Sequence, residues 1–250
     1  MSRQRSKFTL GIDEAGRGPV LGQMVLAAVV LDSKSARSLS RAGLADSKSY
    51  GSGKKAKRTR TALAAAVREH ALFVSIEVVP VQEIDKRVRR SELNLLEREV
   101  ADRLIQSAPQ VDRIVADGER LFKPLQSKYS HLEAHNNGES KHAAVAAASV
   151  IAKTRRDELF ALMQARYAPR FGSFEGGGYV NKTTQGFLRE YAKIHGCLPP
   201  EARRSWPYEY LRDILGDDWQ PGGDAAEEPA PAKQATPTSP KKPSPQLALF

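Results

Sequence analysis

Apolar and polar residues alternate at Phe8, Leu10 and Ile12, and nearly continuous apolar runs follow at Met24 to Leu31, Leu72 to Val79 and Arg113 to Ala116. Period-two alternation and short β-rich runs predict strands at all four places. Amphipathic patterns predict helices over Ala62 to His70, Leu93 to Gln106, Lys141 to Ala165 and Gln185 to Ile194. Pro199-Pro200 closes the last of them, because proline cannot continue a helix. Strands come early and helices interleave later, so the expected fold is an α/β sandwich on a mixed sheet. The segment Ala143 to Lys153 is small and apolar all round, which predicts a helix packed closely on that sheet.

From about Gly216 the composition shifts to Pro, Ala, Gly, Ser and Lys, with almost no aliphatic residue before Leu247. Such a stretch buries too little to offset the entropy of ordering, and it reads as a disordered linker. This divides the chain into a folded part, 1–215, a linker, 216–245, and a terminal peptide, 246–250. The formal net charge is +10, and from Pro221 to Phe250 the acids Asp224, Glu227 and Glu228 cancel Lys233, Lys241 and Lys242. The basic excess therefore belongs to the folded part, where it favours a polyanionic partner. A single cysteine, Cys197, closes no disulfide within the chain; it suits a reducing compartment and reads as a packing residue. No apolar run approaches the roughly 18 residues of a membrane span, and no secretory signal is visible, so a soluble cytoplasmic protein is expected.

Candidate chemistry begins at Gly11-Ile12-Asp13-Glu14-Ala15-Gly16-Arg17-Gly18-Pro19, where an apolar strand meets two adjacent carboxylates and a glycine-rich turn. In an extended chain Asp13 and Glu14 face opposite sides, so one site using both requires the strand to end or bend there. Gly16 and Gly18 permit that bend and the close approach of a sugar-phosphate backbone, and Arg17 offers a fork of donors to phosphate. A phosphate-binding P-loop does not fit: Lys and Ser or Thr are replaced by Arg17 and Gly18, and the carboxylates would repel phosphate. A plain turn capped by two acids remains open.

A second strand ends in the same way at Asp117-Gly118. Carboxylates at neighbouring strand ends are suited to hard divalent cations, whereas Asp-Gly is also a common turn. Glu139 precedes Ser140, an apt N-cap for the alanine-rich helix, and a carboxylate there is favoured by the helix dipole even without metal. Asp157 lies one turn beyond Lys153, where two readings stand, reaching the site or pairing with neighbouring Arg155 or Arg156, and the ion pair is the one favoured. The basic run Lys54 to Arg60 reads as a solvated loop, with duplex binding as the sharper alternative.

Taken together these pieces resemble the type 2 ribonucleases H. The matching segments are Gly11 to Pro19, Asp46-Ser47-Lys48, Asp117-Gly118, Ala147 to Lys153 with Arg156-Asp157, Gly178-Tyr179, and His195-Gly196 through Pro200 to Trp206. The resemblance implies a ribonuclease H-like mixed sheet flanked by helices, with a small C-terminal helical part. It implies four acids, Asp13, Glu14, Asp117 and Glu139, holding two Mg²⁺ or Mn²⁺ ions for hydrolysis that leaves a 3′-hydroxyl and a 5′-phosphate. Glu139 departs from the usual aspartate and is similar to the related type 3 enzymes, whereas Gly16-Arg17-Gly18 has the type 2 form and nothing ahead of the first strand resembles the extra N-terminal domain of type 3.

The same resemblance implies that Gly16, Arg17, Gly18 and Tyr179 sense the 2′-hydroxyl at an RNA–DNA junction, with Lys48 on phosphate or at the periphery of the site; for Tyr179, loop packing after Gly176-Gly177-Gly178 stays open. The expected substrates are RNA–DNA hybrids and duplex DNA containing ribonucleotides, acted on by a monomer. Two other readings stay open: a binding protein whose cutting has decayed, and a nuclease acting chiefly on long hybrids. Gln246-Leu247-Ala248-Leu249-Phe250 resembles the bacterial sliding-clamp-binding pentapeptide, with Leu247, Leu249 and Phe250 as anchors and Gln246 at the rim. A linker ending in such a peptide would raise the local concentration of the enzyme on DNA carrying a clamp.

Overall fold

A computed structural model describes residues 7–45, 47–51, 53–219 and 221–222. Strands β1 (Phe8–Ala15) and β2 (Met24–Asp32) lead into helices α1 (Ser33–Arg41) and α2 (Gly53–His70), then β3 (Phe73–Val79), α3 (Val81–Val88) and α4 (Leu93–Ser107). The chain continues through β4 (Arg113–Asp117), α5 (Glu119–Phe122), β5 (Leu132–His135), α6 (Ala143–Phe171), α7 (Lys182–His195) and α8 (Glu209–Leu215). The sheet order is β3-β2-β1-β4-β5, antiparallel among β1, β2 and β3 and parallel from β1 through β4 to β5. It is the mixed α/β sheet that the hydrophobic pattern predicts.

Alternate residues of β2 feed two separate cores, which explains a strand buried along almost its whole length. Met24, Leu26, Ala28 and Val30 face the layer containing α3, α4 and α7, and Val25, Ala27, Val29 and Leu31 face α1, α2 and α6. The alanines of α6 allow it to lie almost on the strand backbone. A Cβ on Gly11 would stand 2.1 Å from the Ala144 carbonyl carbon and 2.3 Å from the Val145 nitrogen. Glycine is required at that point, and the closeness fixes α6 relative to β1.

Several local expectations change. The run Lys54 to Arg60 lies in the first turns of α2, not in a loop, with Ala56 buried. Cys197 is exposed just after the left-handed Gly196 that ends α7, so it is not the buried packing residue expected. Contacts also run past Leu215: Trp219 Nε1 donates to the Trp206 carbonyl at 3.2 Å, and Gly222 N donates to the Ser205 carbonyl at 3.0 Å. The start expected for the linker is therefore docked on the fold. The remainder of the linker and the peptide Gln246 to Phe250 lie outside the described residues, as do Asp46 and the side chain of Lys48. Among the described residues no helix is long and apolar enough to cross a membrane.

Candidate active site

Parallel pairing of β1 with β4 sets Ile12 opposite Ala116, so the next residues along each strand, Asp13 and Asp117, end side by side. β1 does not stop at its acids. It runs on to Ala15 and turns at Gly16, whose φ of +85° and whose clearance of 2.7 Å to Arg156 Nε exclude a side chain there. Asp13, buried, lies on the side of Ser149 and Lys153 of α6, whereas Glu14, half-buried, feels the charges of Glu97 and Arg17. A cavity of about 410 Å³ across the strand ends takes both acids, with Asp117, Glu139, Arg17, Arg60, Lys153, Asp157 and Tyr179 also in its lining. A larger cavity of about 760 Å³ lies at the Phe8 end of the same strand. Its acids are committed elsewhere: Asp32 accepts from Ser35 N, Asp112 from Phe8 N, and Glu133 from Arg113.

Glu139 reaches the pocket by a route the sequence did not suggest. Asn137 adopts a left-handed conformation and Gly138–Ser140 forms a 3-10 turn, which delays α6 until Ala143 and makes His142, not Ser140, its N-cap. The Ser140 hydroxyl instead donates to the Asn137 carbonyl at 2.8 Å. Buried Glu139 is thereby turned beside α6, away from the helix end, and accepts from Ser149 Oγ at 2.8 Å and Lys153 Nζ at 3.2 Å. Asp117 accepts from Gly138 N at 2.7 Å, which ties that turn to the end of β4.

Asp157 is ion-paired, but with Arg60 of α2 at 2.7 Å. Adjacent residues on a helix do not face one another, so Arg155 and Arg156 are poorly placed to reach it. Arg155 pairs with Glu158, and Arg156 donates to the carbonyls of Leu21 and Gly177. Arg17 is held by the buried Glu97 and by Asn94 Oδ1 at 2.9 Å, both from α4. Tyr179 is 44% exposed at the rim. Arg60, Asn94, Glu97, Ser149 and Lys153 are the members of this site that sequence reasoning missed, because each acts across a tertiary contact.

The electrostatics suit a hard cation. Burial pushes the Asp13 carboxyl well above the usual range, with Glu14 and Asp117 adding repulsion that Lys153 and Ser149 partly offset. Burial, then the charge of Glu97, pushes Glu14 up to about 7, against the opposing pull of Arg17. An all-oxygen donor set whose mutual repulsion is only partly offset is the chemistry that Mg²⁺ or Mn²⁺ favours. Among the described residues no three of these groups already converge on one point; Asp13 accepts from Glu14 N, Asp117 from Gly138 N and Glu139 from Ser149 Oγ.

Comparison with known proteins identifies the family. The profile of the Ribonuclease HII family matches residues 10–208. Ribonuclease HII of Methanocella arvoryzae is 35% identical over 216 residues, which are 82% of this chain and 92% of that protein. Among solved structures, ribonuclease H2 of Pyrococcus horikoshii superposes with a TM-score of 0.71 at 29% identity, covering 83% of this chain and 96% of that one. Ribonuclease HII of Archaeoglobus fulgidus, solved in complex with PCNA, gives 0.66 at 27% identity, covering 80% and 96%. With the sequence profile, the relatives and the fold in agreement, this chain belongs to the ribonuclease HII family of metal-dependent endoribonucleases, which act on RNA–DNA hybrids.

Proposed function

We propose that this enzyme cuts the RNA strand of RNA–DNA hybrids and also cuts on the 5′ side of a single ribonucleotide embedded in duplex DNA, leaving 3′-hydroxyl and 5′-phosphate ends. The observation that carries this reading is the meeting, in one pocket, of Asp13, Glu14, Asp117 and Glu139 with the Gly16-Arg17 turn and Tyr179. The four acids would hold two Mg²⁺ or Mn²⁺ ions. When bound, such ions supply Lewis-acid activation of water and neutralise charge developing at the scissile phosphate. Glu139 is one methylene longer than the aspartate usual at its position, and the bonds from Ser149 and Lys153 fix where its carboxylate lies.

The chain's own residues then position the nucleic acid. Glu97 and Asn94 orient the Arg17 guanidinium before substrate arrives, which limits the entropy lost on contact with phosphate. The 2′-hydroxyl distinguishes RNA from DNA, and the glycine turn lets backbone donors approach it closely. Tyr179 offers an exposed aromatic face for the adjoining sugar or base. The C-terminal Gln246, Leu247, Leu249 and Phe250 would dock in a bacterial sliding clamp, a reading supported by their match to the clamp-binding pattern and by the PCNA-bound relative from Archaeoglobus.

Steady-state cleavage of a DNA duplex with one ribonucleotide, beside a continuous hybrid of the same length, tests this reading. Both are expected to be cut, the first at one phosphodiester 5′ to the ribonucleotide. Cleavage of the hybrid alone would restrict the enzyme to long hybrids.

The raised carboxyl of Glu14 gives a pH signature. Its folded value of about 7 exceeds the ordinary 4.5, so its stabilising contribution is complete below about 4.5 and is lost as pH rises through about 7. Thermal melts of metal-free protein from pH 5 to pH 8 should fall more steeply for wild type than for Glu14→Gln, and Mg²⁺ should recover the difference at pH 8. Equal slopes for the two proteins would mean that Glu14 does not ionise in this range.

A further inference from the structure

The turn Gly16-Arg17-Gly18 lies outside any regular element, and it is held from behind by a segment far away in sequence. After α7 the chain returns along residues 20–22: Leu21 forms an antiparallel bridge with Ala202, Arg203 N donates to the Val20 carbonyl at 2.8 Å, and Gly22 N donates to the Glu201 carbonyl at 2.8 Å. This pairing drives the Arg203 side chain, fully buried, beneath the turn. Its guanidinium donates to the carbonyls of Gly22 at 2.9 Å, Arg17 at 2.6 Å and Gly16. Trp206 Nε1 donates to the Gly18 carbonyl at 2.9 Å, and its ring lies 4.6 Å from the Arg203 guanidinium carbon. Every carbonyl of the turn is thus bound by one of two side chains.

That arrangement dictates the direction of the amides. In a trans peptide the C=O and the following N–H point in opposite directions, and no peptide bond here is cis. With the Gly16 and Arg17 carbonyls drawn toward Arg203, the N–H groups of Arg17 and Gly18 point away from it. Neither donates a hydrogen bond among the described residues. The Gly18 carbonyl precedes Pro19, which has no N–H to present.

We propose that Arg203 and Trp206 are positioning residues for ribose recognition: by fixing the peptide planes of Gly16 to Gly18 they set the discrimination between RNA and DNA, although neither side chain lines the pocket. The proposal rests on the reading of that turn as the ribose sensor. A structural filler alone would not need a guanidinium, because burying a cation whose hydrogen bonds go to carbonyls costs more than burying an apolar side chain of the same volume. Binding three carbonyls in one plane is what the apolar residue could not do. Arg156 extends the support, since it donates to the carbonyls of Leu21 at 2.6 Å and Gly177 at 3.1 Å and so links the same region to the loop leading to Tyr179.

The test compares two duplexes that differ only in one 2′-hydroxyl, with binding read by fluorescence anisotropy in Mg²⁺ and cleavage blocked by an Asp13→Asn background. The parent is expected to prefer the ribonucleotide duplex. Trp206→Phe keeps the aromatic packing and removes one hydrogen bond, so the preference should fall roughly threefold to tenfold with all-DNA binding unchanged. Arg203→Lys should lower it further; should that variant fail to fold, Trp206→Phe still decides the matter. A preserved preference in Trp206→Phe overturns the proposal, and so does an equal loss on both duplexes, which would indicate general support of the fold. No preference in the parent would show instead that the ribose-sensing reading of the turn fails, and the proposal would fall with it.

Discussion

Gly11→Ala is expected to destabilise the protein by more than about 3 kcal/mol and to lower Tm by roughly 6–12 °C, at about 2–4 °C per kcal/mol for a chain of this size. The added carbon would stand 2.1 Å and 2.2 Å from the carbonyl carbon and oxygen of Ala144, and backbone atoms cannot rotate aside as a side chain would. Relief requires α6 to lift from β1. The same movement would carry Ser149 and Lys153 away from Asp13 and Glu139, so cleavage should fall even at temperatures where the variant stays folded. Thermal denaturation and cleavage measured on the same preparation check both parts. A Tm equal to wild type would mean that the close contact between α6 and β1 is not a feature of the protein in solution.

Asp13→Asn should reduce cleavage by about a thousandfold or more, since loss of a metal-holding carboxylate removes several kcal/mol of transition-state stabilisation. The same substitution should raise the stability of the metal-free protein. Asp13 is buried, and burial together with Glu14 and Asp117 opposes its charge. Asparagine keeps the acceptor for Glu14 N, 2.8 Å from Oδ1, and carries no charge to bury. At pH 8 a higher Tm than wild type is expected without metal, the difference shrinking or reversing once Mg²⁺ stabilises wild type. A variant that loses activity and also melts early without metal would assign Asp13 to the scaffold.

The parts of this account that rest on local chemistry were legible in the sequence. β1 and β4 each announce themselves by an apolar run that stops at a carboxylate, and their acids meet because parallel pairing puts neighbouring strand ends at one level. β5 was not legible: Leu132-Glu133-Ala134-His135 has one strongly apolar residue and no alternation to read. α1 was hidden for a similar reason, with Leu39 its sole buried residue in an otherwise polar Ser-Lys-Ser-Ala-Arg sequence. The start of α2 rests on Ala56, too small to stand out among lysines and arginines. Glu139 is legible as a candidate, but not its place: a start of α6 capped by Ser140 is expected, and a left-handed Asn137 that inserts a turn before the helix leaves no periodic trace. Arg203 and Glu97 act over separations of 80 residues and more, which no local pattern encodes.

The central claim is that Asp13, Glu14, Asp117 and Glu139 form a single metal-dependent centre. Calorimetric titration of Mn²⁺ into wild type and into Asp117→Asn, each scored for cleavage of an RNA–DNA hybrid, tests it most directly. The account predicts that Asp117→Asn loses Mn²⁺ affinity and cleavage together. Undiminished Mn²⁺ binding in a variant that no longer cuts would contradict it and place the metal away from these acids.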